Sequence, residues 1–382
     1  MINRENLKAI TLKLSDWCRK RDFAGFDPYD ALNSPFAGIL SLGTKIGRIA
    51  LTQLGRRSLI NFRSLLGIKR GVNPKALGLF LESYVSLDRF EPSEEVKNVM
   101  LMIIRKLQEL RSSNTSGAAW GYNFPWQNRV QFVPRWTPTI VNTAFIGHAL
   151  LDFYEVYGSD EVLDIVLSIP NFILSDLKRK NEGSSFCFSY TPKDENYVHN
   201  ANMLGASLLA RIAVKFGLCD LLEPALASLA YSMNYQQEDG SWFYAENNNQ
   251  KWIDSFHTGF NLEALRRFLK LGLVPEFNDA YVRGVEFYAN NFFTCEGIPK
   301  YYHDHIYLVD IHAPAEAMSF FATEGVRYRE IAERVFYWTL ENMYDEKRGF
   351  FYFRKSHWFT IKIPYMRWSE AWMFRALVNL LK

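Results

Sequence analysis

The sequence predicts an all-α fold, an (α/α)6 toroid (six-hairpin barrel) with short β-like aromatic loops at one end. Three observations carry this: a polar ladder with a period near 57 residues, an alternation of two kinds of helical run, and a Gly- and aromatic-rich loop after each run of the second kind. Asn142, Asn200, His257, His312 and Trp368 are separated by 58, 57, 55 and 56 residues, and each starts an apolar helical run. A fixed period of this size marks a repeat architecture.

The chain opens with a helical pattern over about 5–21. The first runs of each pair begin near Asn73, Asn142, Asn200, His257, His312 and Trp368. They are rich in small residues, with Gly78, Gly147 and Gly205 at one offset from their Asn, and read as an inner ring. The second runs, about 93–111, 159–179, 219–236, 276–293 and 326–343, show the i, i+3, i+4, i+7 spacing of helices with one wet face and read as an outer ring. The sixth outer helix is missing after 368–382, and the N-terminal helix can fill its place. Residues 1–382 then form a single toroid domain, with 31–72 a basic helical insertion within it.

The loops read AAWGYNFPW, SSFCFSY, DGSWFY, GIPKYY and RGFFYF, with DFAGFDPYD a sixth copy after the first helix. Glycine permits positive φ and alternating aromatics suit short hairpins. Within one loop, Gln236-Gln237-Glu238-Asp239-Gly240-Ser241-Trp242 resembles the Q-x3-G-x-W repeat motif of terpenoid-cyclase and prenyltransferase toroids. Over about 70–382 the plan is also similar to the six-hairpin glycosidases, polysaccharide lyases and uronyl epimerases. The resemblance implies the fold more specifically than the reaction. It further implies a role in surface-polysaccharide metabolism.

Composition narrows the classes. The chain is 48% hydrophobic and 22% charged, with a net charge of +3, so no nucleic-acid partner is expected. Its four cysteines are scattered and suggest neither a disulfide framework nor a thiolate zinc site. No apolar run approaches a membrane span, and the N-terminus lacks the apolar core of a signal peptide. The expected location is cytoplasmic.

In a toroid the inner helices all start at one mouth, where unpaired N–H groups and helix dipoles favour an anion. The residues at these starts are polar for a buried ring: Arg129, Arg135, Trp136 and Asn142; Tyr190, Tyr197, His199, Asn200 and Asn202; Asp254 and His257; Tyr302, Asp310 and His312; Arg367, Trp368 and Glu370. Asn142, Asn200 and Asp254 are alternatively helix N-caps. Five of the seven histidines lie in these segments. Carboxylates, amides, aromatic faces and guanidiniums together suit a sugar. The expected chemistry rests on Asp254, His257, Asp310, His312 and Glu370, then His199 and Tyr197. Expected to bind substrate are Trp120, Tyr122, Arg135, Trp136, Asn142, Tyr190, Asn200, Asn202, Trp242, Tyr302, Arg367 and Trp368.

Several reactions stay open. Glycoside hydrolysis needs two carboxylates across the scissile bond, and Asp254, Asp310 and Glu370 are candidates. A lyase or C5-epimerase acting on an acidic poly- or oligosaccharide needs a base, an acid and a group for the sugar carboxylate. Here the Tyr197–Asn202 set resembles that of toroid polysaccharide lyases in content but not in order, and Arg135 or Arg367 is the carboxylate holder. His303 and His305 with Asp310 and His312 have metal-ligand types, although no metal or cofactor is expected. Terpene cyclisation is disfavoured by the absence of DxDD and DDxxD. A non-catalytic saccharide- or partner-binding toroid uses the same aromatics.

Residues 31–81 hold eight cations and no Asp or Glu. Residues 45–75 are therefore a candidate for peripheral contact with an anionic membrane or an acidic partner; the alternative is a helix packed on the barrel with a solvated basic face.

Overall fold

Helices of two kinds alternate along the chain. In order they are α1 (Arg4–Arg19), α2 (Ala37–Leu40), α3 (Lys45–Arg57), α4 (Pro74–Phe90), α5 (Glu94–Glu109), α6 (Ile140–Tyr157), α7 (Asp160–Asn171), α8 (His199–Phe216), α9 (Leu222–Met233), α10 (Ser255–Lys270), α11 (Asn278–Asn291), α12 (His312–Phe321), α13 (Val326–Met343) and α14 (Ala371–Leu381). The structure, a computed structural model, describes residues 2–127 and 132–382, so Arg129 lies outside the described residues. α12 and α14 are buried along their whole length. α5 instead buries only Val99, Met100, Ile103, Ile104 and Leu107, a single stripe. This is the difference between a helix apolar all round and one with a wet face.

The chain falls into two compact units. A middle unit comprises 111–120 and 138–306, and a terminal unit comprises 1–110, 121–137 and 307–382. In the middle unit α6, α8 and α10 pack side by side, and each packs on its following helix, α7, α9 or α11. Gly147 and Gly205 make the close approach possible. A Cβ on Gly147 would meet Leu208 at 2.4 Å, and one on Gly205 would meet Ile140 at 2.3 Å. In the terminal unit α14 packs between α12 and α4, while α5 and α13 cover their partners. The expected use of the first helix is realised here, because α1 packs on α14.

Helix starts fall close to the expected rungs, but the capping residues differ. Asn73 caps α4 and Asp254 caps α10. Asn142 is not a cap: its own N–H donates to Thr139 Oγ1, 3.0 Å away, because α6 begins two residues before it. Nor is Asn200, which lies inside the first turn of α8. The aromatic loops form short antiparallel ladders at Arg179–Glu182 with Ser185–Phe188 and at Tyr344–Asp345 with Phe350–Phe351, among others. The DGSWFY loop forms none. Its glutamine and tryptophan act as braces. Gln236 Nε2 donates to the carbonyls of Gly240 and Ala280, and Trp242 Nε1 donates to the Ser232 carbonyl. No described helix is long and apolar enough to cross a membrane.

Candidate functional site

One hydrogen bond recurs at the starts of α6, α8, α10 and α12, to the aromatic loop that follows in sequence. In the middle unit the N–H of Ile140 donates to the Tyr190 carbonyl, that of His199 to Tyr244, and that of Ser255 to Tyr301. In the terminal unit the N–H of Ile311 donates to Phe353. An orphan donor at each helix start is thereby satisfied, and the loop is pinned over the polar first turn. That is why polar rungs and aromatic loops come together.

In the middle unit this brings Asp254, His257, Trp252 and Tyr244 into one cleft. Asp254 Oδ1 accepts the His257 N–H at 3.0 Å as the helix cap. Its Oδ2 accepts from His257 Nδ1 at 2.7 Å and from Trp252 Nε1 at 3.0 Å. Asp254 is buried, whereas the His257 side chain is 22% exposed. A carboxylate on Nδ1 fixes the tautomer and leaves Nε2 as the basic nitrogen. The Tyr244 and Trp252 rings are stacked at 4.5 Å, and Tyr244 lies 4.7 Å from the His257 ring. The cleft is also lined by Asn200, Trp242, Thr258 and Asn261. Asn200 Oδ1 and Asn261 Oδ1 are buried without a protein partner, an arrangement that costs free energy unless a ligand supplies donors.

A second imidazole is held beside Tyr231 and Tyr235. His199, buried at the start of α8, bonds Glu246 Oε1 through Nε2 at 2.9 Å and Ser232 Oγ through Nδ1 at 3.3 Å. The bond from His199 holds the Glu246 carboxyl below its usual range, against the opposing effect of burial. Asn202 is fully engaged in the scaffold, accepting from Phe188 N–H and Ser228 Oγ and donating to the Ser228 carbonyl and Ser232 Oγ. Tyr197 is half-buried, and burial raises its phenol pKa. Tyr190 and Tyr302 serve the backbone through the loop contact above and a bridge to Asp254. Trp120 is wholly buried, as is Asn142, whose amide atoms have no partner.

The remaining candidates belong to the terminal unit. Asp310 is fully buried and binds Arg354 Nε at 2.6 Å, Trp368 Nε1 at 2.7 Å and the His312 N–H at 3.2 Å. The His312 ring sits between Trp368 and Trp372, with centroids 4.2 and 4.7 Å away. Glu370 is wholly buried and accepts from the Phe351 N–H; burial drives its carboxyl well above the usual range. Arg367 makes a two-point pair with Asp27, at 2.6 and 2.8 Å. Burial opposes its charge, and Asp27 more than offsets this and raises its pKa. The Tyr122 ring lies 5.0 Å from that guanidinium. Arg135 binds Asn33, and Trp136 adopts a φ of 65°. A second cleft runs beside Asp27, Asp30, Asn33, Lys69, Asn73, Asn123 and Arg367.

Among the described residues no group of three or more His, Cys, Asp or Glu is arranged to hold a metal ion. His303 contacts the Ile253 carbonyl and His305 binds Asp304. Sequence reasoning passed over Glu246, Tyr244, Asn261, Asp27 and Asp30. Asp27 stood in a loop that the repeat singles out, and Tyr244 ended the DGSWFY loop; nothing in the spacing marked Glu246.

No protein-family profile matches the chain, and no curated protein does. Solved structures do. The chain is similar to cellobiose 2-epimerase from Bacillus thermoamylovorans at 14% identity, over 81% of this chain and 87% of that one, with a TM-score of 0.63. It is similar to an unsaturated glucuronyl hydrolase specific for heparin at 12% identity, over 99% and 96%, with a TM-score of 0.61. A possible member of the GH105 family from Salmonella enterica gives 12% identity, 100% and 95% coverage, and a TM-score of 0.63. This chain is an α/α toroid. At such identities the likeness establishes the fold, and the reaction must be argued from the toroid's own residues.

Proposed function

We propose that the protein is a carbohydrate-active enzyme that moves a proton at a sugar carbon, a step of the epimerase, isomerase or lyase kind, in the cleft of the middle unit. The observation that carries this reading is the Asp254–His257 pair. One carboxylate oxygen fixes the imidazole tautomer, and the ring edges a cleft walled by stacked aromatics. His257 Nε2 is the base for the carbon-bound proton. Tyr244 and Trp252 offer apolar ring faces, and the amides of Asn200 and Asn261 accept from hydroxyls.

Hydrolysis fits less well. It needs two carboxylates at the bond, and Asp254 already accepts three protein donors. Arg135 and Arg367, the expected holders of a sugar carboxylate, are both engaged, with Asn33 and Asp27. This favours an uncharged sugar over the acidic one expected from the sequence.

The test is to incubate the protein with neutral and acidic mono- and disaccharides in D2O and follow deuterium entry at sugar carbons by NMR. Exchange on at least one sugar, lost in His257→Asn, is expected. If a sugar binds wild type and variant equally and neither protein exchanges or cleaves it or any other sugar tested, the protein is a binder and the reading fails.

A further inference from the structure

We propose that the face formed by residues 36–65 docks this protein on an anionic lipid surface. The segment holds nine of the 23 large hydrophobic side chains that are exposed among the described residues. Ile39, Leu42, Ile46, Ile60 and Leu65 are each at least 75% exposed. Such clustering is unlike scattered surface leucines, and it marks a contact surface.

α3 shows how the patch is built. Its inward face buries Leu51, Thr52 and Gly55. Its outward face carries Ile46, Ala50 and Leu54 at four-residue spacing, all exposed, with Lys45 and Arg57 exposed at the two ends. The solvent side is thus an apolar stripe with cationic ends, not the solvated basic face that a helix merely packed on the barrel would show. Neighbouring turns extend the stripe. α3 starts tightly against the preceding turn: a Cβ on Gly47 would meet the Ser41 carbonyl oxygen at 1.9 Å. Ser34 Oγ donates to the Leu66 carbonyl at 2.7 Å, and this ties the far end of the segment back to Phe36.

Charge selects the occupant. Residues 31–81 contain no acidic side chain. Arg63 is neutralised internally by Asp30 at 2.5 Å, whereas Lys45, Arg57, Lys69 and Arg70 are exposed. Apolar side chains with cations at their margin are the pattern of elements that lie in the headgroup region of an anionic bilayer. A second copy of the chain would set one basic margin against another, which is repulsive.

The full chain is centrifuged with vesicles of phosphatidylcholine alone and of phosphatidylcholine mixed with phosphatidylserine, at low and high salt. Sedimentation with the anionic vesicles only, weakened by salt, is expected. Lys45→Gln with Arg57→Gln should lower partitioning about 30-fold, two cations at roughly fivefold each. Ile46→Ser with Leu54→Ser should abolish it while circular dichroism and thermal unfolding stay those of wild type. The proposal is overturned by wild type that stays in the supernatant with anionic vesicles at low salt. It is overturned equally by an Ile46→Ser/Leu54→Ser variant that still sediments. A wild-type dimer in light scattering that this variant converts to monomer, with no vesicle binding, would assign the face to a second copy.

Discussion

Asp254 holds His257 with both carboxylate oxygens, one on the backbone N–H at 3.0 Å and the other on Nδ1 at 2.7 Å. A single side chain therefore starts helix α10 and sets the protonation pattern of the imidazole three residues later. Replacing it by asparagine separates the two roles. The amide would still cap the helix but would present an N–H2 group to part of the donor set. Asp254→Asn should keep its melting temperature within a few degrees and lose about 10²–10⁴ in kcat on any sugar the protein turns over. Unchanged kcat removes Asp254 from the machinery.

Trp252 stacks on Tyr244 and donates to Asp254. Trp252→Ala should weaken saccharide affinity by about tenfold, the scale of one aromatic contact. Trp252→Phe keeps the ring face and should recover most of that loss in calorimetric titrations. Equal affinity in wild type and Trp252→Ala would place the sugar elsewhere.

The Asp27–Arg367 pair is buried and two-pronged. Asp27→Ala leaves a guanidinium without its counter-charge and should cost about 3–5 kcal/mol in urea unfolding. The double replacement Asp27→Leu with Arg367→Met should restore most of it, because an apolar pair does not carry the desolvation penalty. A single variant with wild-type stability would show that water or another anion reaches Arg367.

Glu370 gives a pH-dependent stability with a definite sign. Its folded carboxyl is raised well above the ordinary 4.5 by burial, so the native state keeps a proton that the unfolded chain releases. Its contribution is complete below about pH 4.5 and is lost as the pH rises toward the folded value. Wild type should therefore lose stability relative to Glu370→Gln at up to about 1.4 kcal/mol per pH unit above that point. Urea melts of both proteins at several pH values between acid and neutral check this; a constant difference contradicts it.

The ladder could be read from the sequence because each copy must offer a polar group at a helix start. Its rungs therefore fall in or near the first turn even where the cap is another residue, as with Thr139 ahead of Asn142. Asp254 and His257 were legible for the same reason: a cap and its N3 partner are neighbours in sequence. Glu246 was not, because a loop residue 47 positions from His199 meets it only through the path of the chain. Arg367 was visible as a cation but not as half of a pair, since Asp27 lies 340 residues away. Carboxylates that looked equivalent by position differ by surroundings: Asp310 is paired with Arg354, whereas burial raises the pKa of Glu370.

The terminal unit is assembled from stretches at opposite ends of the chain, with α14 between α4 and α12 and α1 packed on α14. This sets an order of events during synthesis. Residues 138–306 can complete their helix neighbours as soon as they leave the ribosome. α1, α4 and α5 emerge before the middle unit, yet α1 and α4 must wait for α14, which is made after it. Until then the side of α4 that α14 covers has no native partner, and long-range closure of this kind is slow and exposed to aggregation. α4 is thus the helix of this unit with most need of a chaperone.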